Sequence, residues 1–280
     1  MKNEKLSRAI LSVIIILIVC IGVAVYIFNV KLSKEENSAK EFLEMLYNKD
    51  MIDSNIDIDK VKFEVVKEFD GDKEYYRVTS KEFGFDIDSD YRVVGFNYNY
   101  NITSVEGVSM SSETARNMAE VYISELVNED YKYKDTIKEV EDENLSYYGY
   151  IFTRYKDGYP FYSDQIMIQI DKYSGYLSGY SNTASQGNPE KIENNIEKQE
   201  AETIAVALFN KLNVNGIVNE EETYSAFCDN KEKTKTELCY VVTVTGLDID
   251  NKEMKIKYFI SHKDGEIINF IKDTVSKTIA

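Results

Sequence analysis

The strongest constraint on the fold of this chain is a run of alternating side chains between Tyr147 and Tyr180. Aromatic and β-branched residues recur there at every second position, which is typical of β-strands that bury one face. The runs are interrupted by Lys156-Asp157-Gly158 and by Asp171-Lys-Tyr-Ser-Gly175, where glycine can take a positive φ and aspartate can cap a turn. We therefore predict three antiparallel strands joined by two turns. The residues assigned to turns or to the strand start beside them are Gly158, Pro160, Asp171 and Gly175, with Gly265 in a similar turn near the C-terminus.

Charge and composition limit the class of protein. The chain has 280 residues, enough for about two domains. It is 43% hydrophobic and contains 22 Tyr and 13 Phe, which indicates folded cores and not disorder. Its net charge of −16 argues against nucleic-acid binding, because the phosphate backbone would repel it.

An apolar run covers residues 9–30 and is interrupted only by Ser12 and Asn29. As a helix with a rise of about 1.5 Å per residue, it can cross a hydrocarbon core of about 30 Å. Three basic residues precede the run, which favours a cytoplasmic N-terminus. We predict a single-pass protein of the cell membrane with residues 35–280 outside the cytoplasm.

Two other interpretations of the N-terminus are weaker. A cleaved signal peptide usually has a shorter apolar core and a small-x-small cleavage site, and no such site follows before Lys31. Lipid attachment at Cys20 normally needs a small residue just before the cysteine, where this chain has Val19. We therefore interpret Cys20 as a thiol buried in the membrane.

The exported part repeats one order of elements, a helix followed by strands. Three apolar stripes have helical spacing: Ala39, Phe42, Leu43 and Leu46; Ala115, Ala119, Tyr122, Ile123 and Leu126; and Ala201, Ile204, Ala205, Leu208 and Leu212. Turns of similar sequence precede the last strand of each unit, about 85 residues apart, which favours domain duplication. We predict an α+β fold of two to three modules, each a helix on an antiparallel sheet. The domains are 1–34 (cytoplasmic tip and anchor), 35–108 (first module), 109–183 (central module), 184–197 (linker) and 198–280 (C-terminal module).

The central module resembles a known repeat. The positions that carry the resemblance are Tyr150, Phe152, Arg154, Gly158, Pro160, Asp164, Ile166, Asp171 and Gly175. Their pattern, Tyr-x-Phe-x-Arg, then Gly-x-Pro, then Asp-x-Ile and Asp-x-x-Ser-Gly, is similar to the YcdB/YcdC repeat within the wider PepSY (propeptide-like) group of α+β modules. The C-terminal module has a PepSY-like order of elements, and the match is weakest in the first module.

No catalytic or metal motif emerges from the sequence. His262 is the only histidine, so a Ser-His-Asp triad or a histidine-based zinc site is not predicted within one chain. The Asp-x-Asp run that begins at Asp86 has Tyr91 and Asn97 where a calcium loop of the EF-hand type needs Gly and Glu. We predict no enzyme activity, no cofactor and no metal site.

Two residue sets remain as candidate sites. Cys228 and Cys239 end two predicted strands, and either a disulfide or a pair of buried thiols fits their spacing. The central module is also crowded with tyrosines, a residue type that is enriched with arginine at binding hot spots. The residues we assign to partner binding are Tyr148, Tyr150, Arg154, Tyr159 and Tyr162.

These observations predict a membrane-tethered protein that binds and modulates a protein partner. The resemblance implies the class of partner, because PepSY-like modules occur in propeptides of secreted peptidases and in anchored proteins thought to restrain peptidases or cell-wall hydrolases. The alternative is an accessory or sensory subunit that acts through its anchor on a membrane signalling protein such as a histidine kinase. A third class is an enzyme that works through carboxylates alone.

Overall fold

The computed structural model describes residues 32–71, 73–98, 109–137, 145–184, 189, 191–193, 195–232 and 234–274. This part of the chain has a mixed α+β structure, mostly sheet with three α-helices, as the sequence predicts. It divides into two compact units, with the boundary between Asn101 and Ile102. The predicted anchor, residues 9–30, and Cys20 lie outside the described residues. Among the residues that the structure describes, no helix is long and apolar enough to cross a membrane.

The first unit is one helix on a four-stranded antiparallel sheet. Its elements are α1 (Lys34–Asn48), β1 (Glu64–Asp70), β2 (Lys73–Thr79), β3 (Phe83–Asp88) and β4 (Val93–Tyr98), with a 3₁₀ turn at Ile58–Lys60. Helix α1 begins five residues before the apolar stripe because Ser33 and Glu36 form a capping box. Each side chain of this pair accepts a hydrogen bond from the backbone N–H of the other. The helix buries Ala39, Leu43 and Leu46.

The second unit begins with the central module. Its elements are α2 (Ser112–Leu126), β5 (Asp130–Thr136), β6 (Tyr147–Lys156), β7 (Tyr159–Asp171) and β8 (Leu177–Asn182). The strands pair antiparallel in the order β5-β6-β7-β8, and the last three form the predicted meander. Asp157 and Gly158 have φ of 51° and 86° between β6 and β7. Two positive φ angles match the twist of a two-residue hairpin, which explains the sharp turn there.

The C-terminal module repeats this plan with a longer sheet. Its elements are α3 (Lys198–Leu212), β9 (Val214–Val218), β10 (Tyr224–Asp229), β11 (Thr236–Leu247), β12 (Glu253–Ser261) and β13 (Ile267–Thr274), with a 3₁₀ turn at Glu220–Glu222. Strands β10 and β9 pair with successive halves of β11, which pairs with β12 on its other side. Helix α3 buries Ala201, Ala205 and Phe209 against β11 and β12.

The two modules join through one strand contact. Strands β7 and β10 run parallel and meet at Phe161 and Phe227. The rings of these two residues are 4.9 Å apart between centroids, and together with Leu238 they form a buried cluster. The two sheets of the second unit are therefore continuous and share apolar contacts.

The turn before the last strand makes the same backbone contacts in both modules. The carbonyl of Lys172 accepts a hydrogen bond from the N–H of Met110, just before α2. The carbonyl of His262 accepts one from the N–H of Asn195, just before α3. In each module the start of the helix is thus tied to the turn between the last two strands.

The side chains at these turns are also equivalent in position but differ in chemistry. The hydroxyls of Tyr148 and Tyr240 donate to backbone carbonyls in the segments before α2 and α3, at 3.2 Å and 3.3 Å. The Lys172 ammonium lies 4.9 Å from the Tyr148 ring centroid, whereas the His262 ring stacks on Tyr240 at 3.7 Å. A cation–π contact in one module thus corresponds to a ring stack in the other.

Candidate functional site

A cavity of about 350 Å³ lies where β5, β6, β7 and β10 meet. The hydroxyl of Tyr150 on β6 donates a hydrogen bond to the backbone of Ser112 at the start of α2, so Tyr150 lies on the face of the strand toward that helix. Successive side chains of a strand point to opposite faces. Thr153 and Tyr155, two lining residues at odd-numbered positions, are therefore on the face of β6 that α2 does not cover. The residues that line the cavity are Lys132, Tyr133, Lys134, Thr153, Tyr155, Pro160, Phe161, Tyr162 and Tyr224.

Aromatic rings form much of the cavity wall. Tyr162 is held by an edge-on contact with Phe259, with 4.7 Å between ring centroids. Tyr224 is 44% exposed, and partial burial raises the pKa of its hydroxyl to about 12. At neutral pH this hydroxyl is therefore protonated and able to donate a hydrogen bond.

The charged residues of the lining are both lysines. The Lys132 ammonium lies 4.4 Å from the centroid of the Tyr155 ring and 3.7 Å from Oδ2 of Asp130. The pKa of Lys134 is lowered, mainly by burial and further by the positive charge of Lys257. None of the nine lining residues is acidic, in a chain with 49 Asp and Glu against 33 Lys and Arg. The cavity is thus a cationic site on an acidic protein.

Thr153 contributes an unsatisfied polar group. The residue is 6% exposed, and its Oγ1 is buried without a hydrogen-bond partner in the described part of the chain. A buried hydroxyl without a partner is unfavourable, because it has lost its hydrogen bonds to water. Thr153 is also one of the residues that line the cavity.

Two residues that we assigned to partner binding lie in the core. Tyr150 is fully buried and its hydroxyl donates to the Ser112 carbonyl. Arg154 bonds to Oδ2 of Asp164 at 3.1 Å, and the two side chains are 12% and 2% exposed. The Arg154 guanidinium also lies 4.4 Å from the centroid of the Phe161 ring. Arg154 and Asp164, two of the positions that carry the resemblance, are therefore partners inside the fold.

The other three candidates, Tyr148, Tyr159 and Tyr162, are half-buried, and each contacts a different set of residues. Tyr148 is held between Lys172 and the segment before α2, as described above. Tyr159 packs against Phe227, with 6.3 Å between ring centroids. Among the five, only Tyr162 lines the cavity. No strand was predicted for residues 130–136, so the sequence did not indicate that five other lining residues lie together: Lys132, Lys134, Thr153, Tyr155 and Tyr224.

The three glycines assigned to turns lie between strands, Pro160 lies at the start of β7 as predicted, and Asp171 is the last residue of β7. Gly158, Gly175 and Gly265 have φ of 86°, 78° and 74°. Oδ1 of Asp171 accepts hydrogen bonds from the N–H groups of the two residues that precede Gly175, Tyr173 and Ser174. Pro160 lines the cavity beside Phe161.

Cys228 and Cys239 are buried free thiols. The register sets Cys239 opposite Ala226 and Cys228 opposite Glu237, so the two cysteines are diagonal neighbours. Diagonal Cα atoms are about 7–8 Å apart, beyond the usual reach of a disulfide. A hydrogen bond between the two thiols, together with burial, raises the pKa of Cys239.

The single histidine is buried outside the cavity lining. His262 is 4% exposed, and its Nε2 lies 3.1 Å from Oγ of Ser225. Burial lowers the pKa of the imidazole from 6.5 to about 4. The imidazole of His262 is therefore neutral in the folded protein at neutral pH.

This shift predicts a loss of stability in mild acid. The unfolded chain, with an ordinary histidine pKa, binds a proton as the pH falls below about 6.5, whereas folded His262 does so only near pH 4. The free energy of unfolding should therefore fall over this range, by at most about 2 kcal/mol between about pH 7 and about pH 5. Urea denaturation at both pH values, followed by circular dichroism, measures it. The His262→Gln variant should lose less stability than the native protein over the same pH interval. Equal losses would mean that His262 is not the group responsible.

Comparison with known proteins finds a likeness in structure but no match in sequence. No family model matches the chain, and no curated protein matches it. The structure is similar to the Bacillus megaterium YpeB C-terminal domain, with 17% sequence identity and a TM-score of 0.47, over 86% of this chain and 96% of that one. A likeness of this size carries no inference about function.

Proposed function

We propose that this chain is a non-enzymatic, single-pass membrane protein whose extracytoplasmic, PepSY-like modules bind and modulate a protein partner. The class of partner that we propose is a secreted or envelope peptidase or a cell-wall hydrolase. Residues 9–30 would hold the protein at the membrane. The resemblance of the central module to the YcdB/YcdC repeat supports this choice of partner.

The observation that supports binding most directly is the cavity at the β7–β10 junction. Its wall combines tyrosine, phenylalanine and proline side chains with two lysines. Tyrosines provide large contact areas and hydrogen-bonding hydroxyls at little cost in conformational entropy. Such a surface is suited to holding part of another protein.

The position of the histidine supports binding over acid–base catalysis. The His262 ring is stacked on Tyr240 and bonded to Ser225, and it is not among the cavity residues. With a pKa of about 4, this imidazole is not a proton donor near neutral pH. The lining itself offers ammonium and phenol groups, which bind anions and aromatic groups well.

A site-specific crosslink in intact cells tests the proposal. A photo-crosslinking amino acid replaces Tyr224 in the full-length chain, and the captured protein is identified by mass spectrometry. We expect a peptidase or wall hydrolase. The control position is Phe270, which is 61% exposed on β13 and pairs with Tyr258 of the α3-covered face. Capture from Phe270 alone would contradict the proposed surface.

Exchange of the anchor separates this function from the alternative. Residues 1–31 are replaced by an unrelated membrane segment in the Tyr224 crosslinking variant. A modulator that works through its exported modules should capture the same partner. Loss of capture, or capture of a kinase or transporter only with the native anchor, would favour an accessory subunit that acts through the membrane.

A further inference from the structure

We infer that the cavity binds a carboxylate side chain from an extended, acidic segment of the partner protein, with Lys132 and Lys134 as its charge partners. This inference rests on the proposed function and adds the chemistry of what is recognised. The occupant is thus a peptide segment with Asp or Glu at alternate positions. Three features of the cavity lead to it.

The first feature is charge. The lining has two lysines and no acidic residue. Burial and the charge of Lys257 lower the pKa of Lys134, and the charge of Asp135, outside the lining, offsets part of the overall lowering. Lys134 forms no ion pair with any residue in the described ranges, and Lys132 has only the exposed Asp130 at 3.7 Å. Positive charges gathered in a partly buried site repel one another, and a bound carboxylate would relieve that repulsion. The site is therefore complementary to an anion although the protein as a whole is acidic.

The second feature is the set of hydrogen-bond donors beside the lysines. The Tyr224 hydroxyl is protonated at neutral pH, since burial raises its pKa to about 12. The Thr153 hydroxyl has no partner in the described part of the chain and could gain one from a ligand. A carboxylate accepts several hydrogen bonds at once, so it can use both hydroxyls as well as an ammonium group.

The third feature is a strand edge, which favours a peptide over a small anion. Strand β5 pairs with β6 on one side, and no other described strand pairs with it. Such an edge presents backbone N–H and C=O groups that an extended peptide can use. Every second side chain of an added strand would lie on the face that Lys132 shares with Thr153, its partner on β6. Lys134 lies at an irregularity of the same pairing and also lines the cavity. The cavity volume of 350 Å³ is at the lower end of the range of about 300–1,000 Å³ for ligand sites.

A matched pair of peptides tests the inference. The probes are fluorescein-labelled Gly-Thr-Glu-Thr-Glu-Thr-Gly and its counterpart with Gln at both Glu positions, titrated with the full-length protein in detergent micelles and followed by anisotropy. We expect the Glu peptide to bind more tightly by on the order of tenfold, with an affinity that falls as salt is raised. Equal affinities, or no binding of either peptide, would overturn the inference.

Charge reversal locates the site. Lys134→Glu should weaken binding of the Glu peptide by on the order of tenfold. Lys272→Glu is the matched control, because Lys272 is exposed on β13 and pairs with Ile256 of the α3-covered face. Both variants change the net charge by the same amount. Equal weakening by the two variants would mean that only the overall charge matters, and this would overturn the assignment.

Thr153→Val tests the hydroxyl with almost no change of shape. If the hydroxyl serves the ligand, this variant should bind the Glu peptide on the order of fivefold more weakly, while its melting temperature stays the same or rises. Unchanged peptide affinity would remove Thr153 from the site. Tighter binding of inorganic phosphate than of the Glu peptide would instead make the cavity a phosphate site and overturn the peptide assignment.

The crosslinking and peptide experiments fail in different ways. A peptidase captured from Tyr224, together with equal binding of the two peptides, would leave the proposed function standing and overturn the acidic ligand. Discrimination between the peptides without any partner captured in cells would support the ligand chemistry and contradict the proposed function.

Discussion

Arg154→Met is expected to lower the free energy of unfolding of the second unit by about 3–5 kcal/mol. Arg154 and Asp164 are 12% and 2% exposed and bond at 3.1 Å, so removal of the arginine leaves a buried carboxylate without its charge partner. The contact of the guanidinium with the Phe161 ring is lost as well. Urea denaturation at neutral pH, followed by circular dichroism because the chain has no Trp, measures the change.

Two further variants separate burial from charge. Arg77 in the first unit is 47% exposed and pairs with Glu68 and Asp86, so Arg77→Met should cost only about 0–1 kcal/mol. The double variant Arg154→Met/Asp164→Leu removes both buried charges and should recover much of the lost stability. If Arg154→Met were no more harmful than Arg77→Met, the pair would not be a structural element of the core.

The second large effect is expected at α3. Phe209→Ala should cost about 3–5 kcal/mol, because a fully buried aromatic side chain is removed and a cavity is left. The ring lies directly against the backbone of β9 and β11. A side chain at Gly216 or Gly246 would collide with this ring, because its Cβ would lie 2.7 Å or 2.6 Å from the nearest ring atom of Phe209. The same denaturation experiment measures the loss.

Leu212→Ala on the same helix is the matched control. Leu212 is 78% exposed, so its truncation should change the free energy of unfolding by about 0.5 kcal/mol or less. A cost at Leu212 equal to that at Phe209 would mean that the helix buries a different face from the one described.

These two residues also show how far the sequence predicted the structure. The apolar stripe of α3 gave the helix and most of its buried face, but it included Leu212 and omitted Phe209. Near the end of a helix, two apolar residues three positions apart both fit a broad stripe. Only the close approach of the β9 and β11 glycines, which comes from distant sequence, decides which of them is covered.

The meander was predictable because its signals are local. Alternation, the Asp157-Gly158 turn and the capping aspartate all act within a few residues. Arg154 shares its parity with Tyr150 and Phe152, so the alternation already placed it on their face of the strand, and its pairing with β5 is regular there. Whether that face is buried depends on α2, on the bond to Asp164 and on the ring of Phe161. These contacts join different elements of the fold, and the alternation within one strand does not predict them.

The cavity was not predictable for a similar reason. It requires β5, whose sequence Asp130–Thr136 is too polar to indicate a strand by its pattern. It also requires β7 to meet β10 at Phe161 and Phe227, a pairing that crosses the predicted linker. Non-local strand pairing is set by packing of the whole unit and leaves no signal in a short window.

Strands β7 and β10 meet at Phe161 and Phe227, so separating the central and C-terminal modules would expose both side chains. If the two modules were produced as separate fragments, Phe161 and Phe227, now 2% and 1% exposed, would lie on open strand edges, with Leu238 beside Phe227. Unprotected edges with apolar side chains are sites of association between chains. Fragments that carry one module alone should therefore dimerise or precipitate, and a mixture of the two complementary fragments should reassemble into a soluble heterodimer.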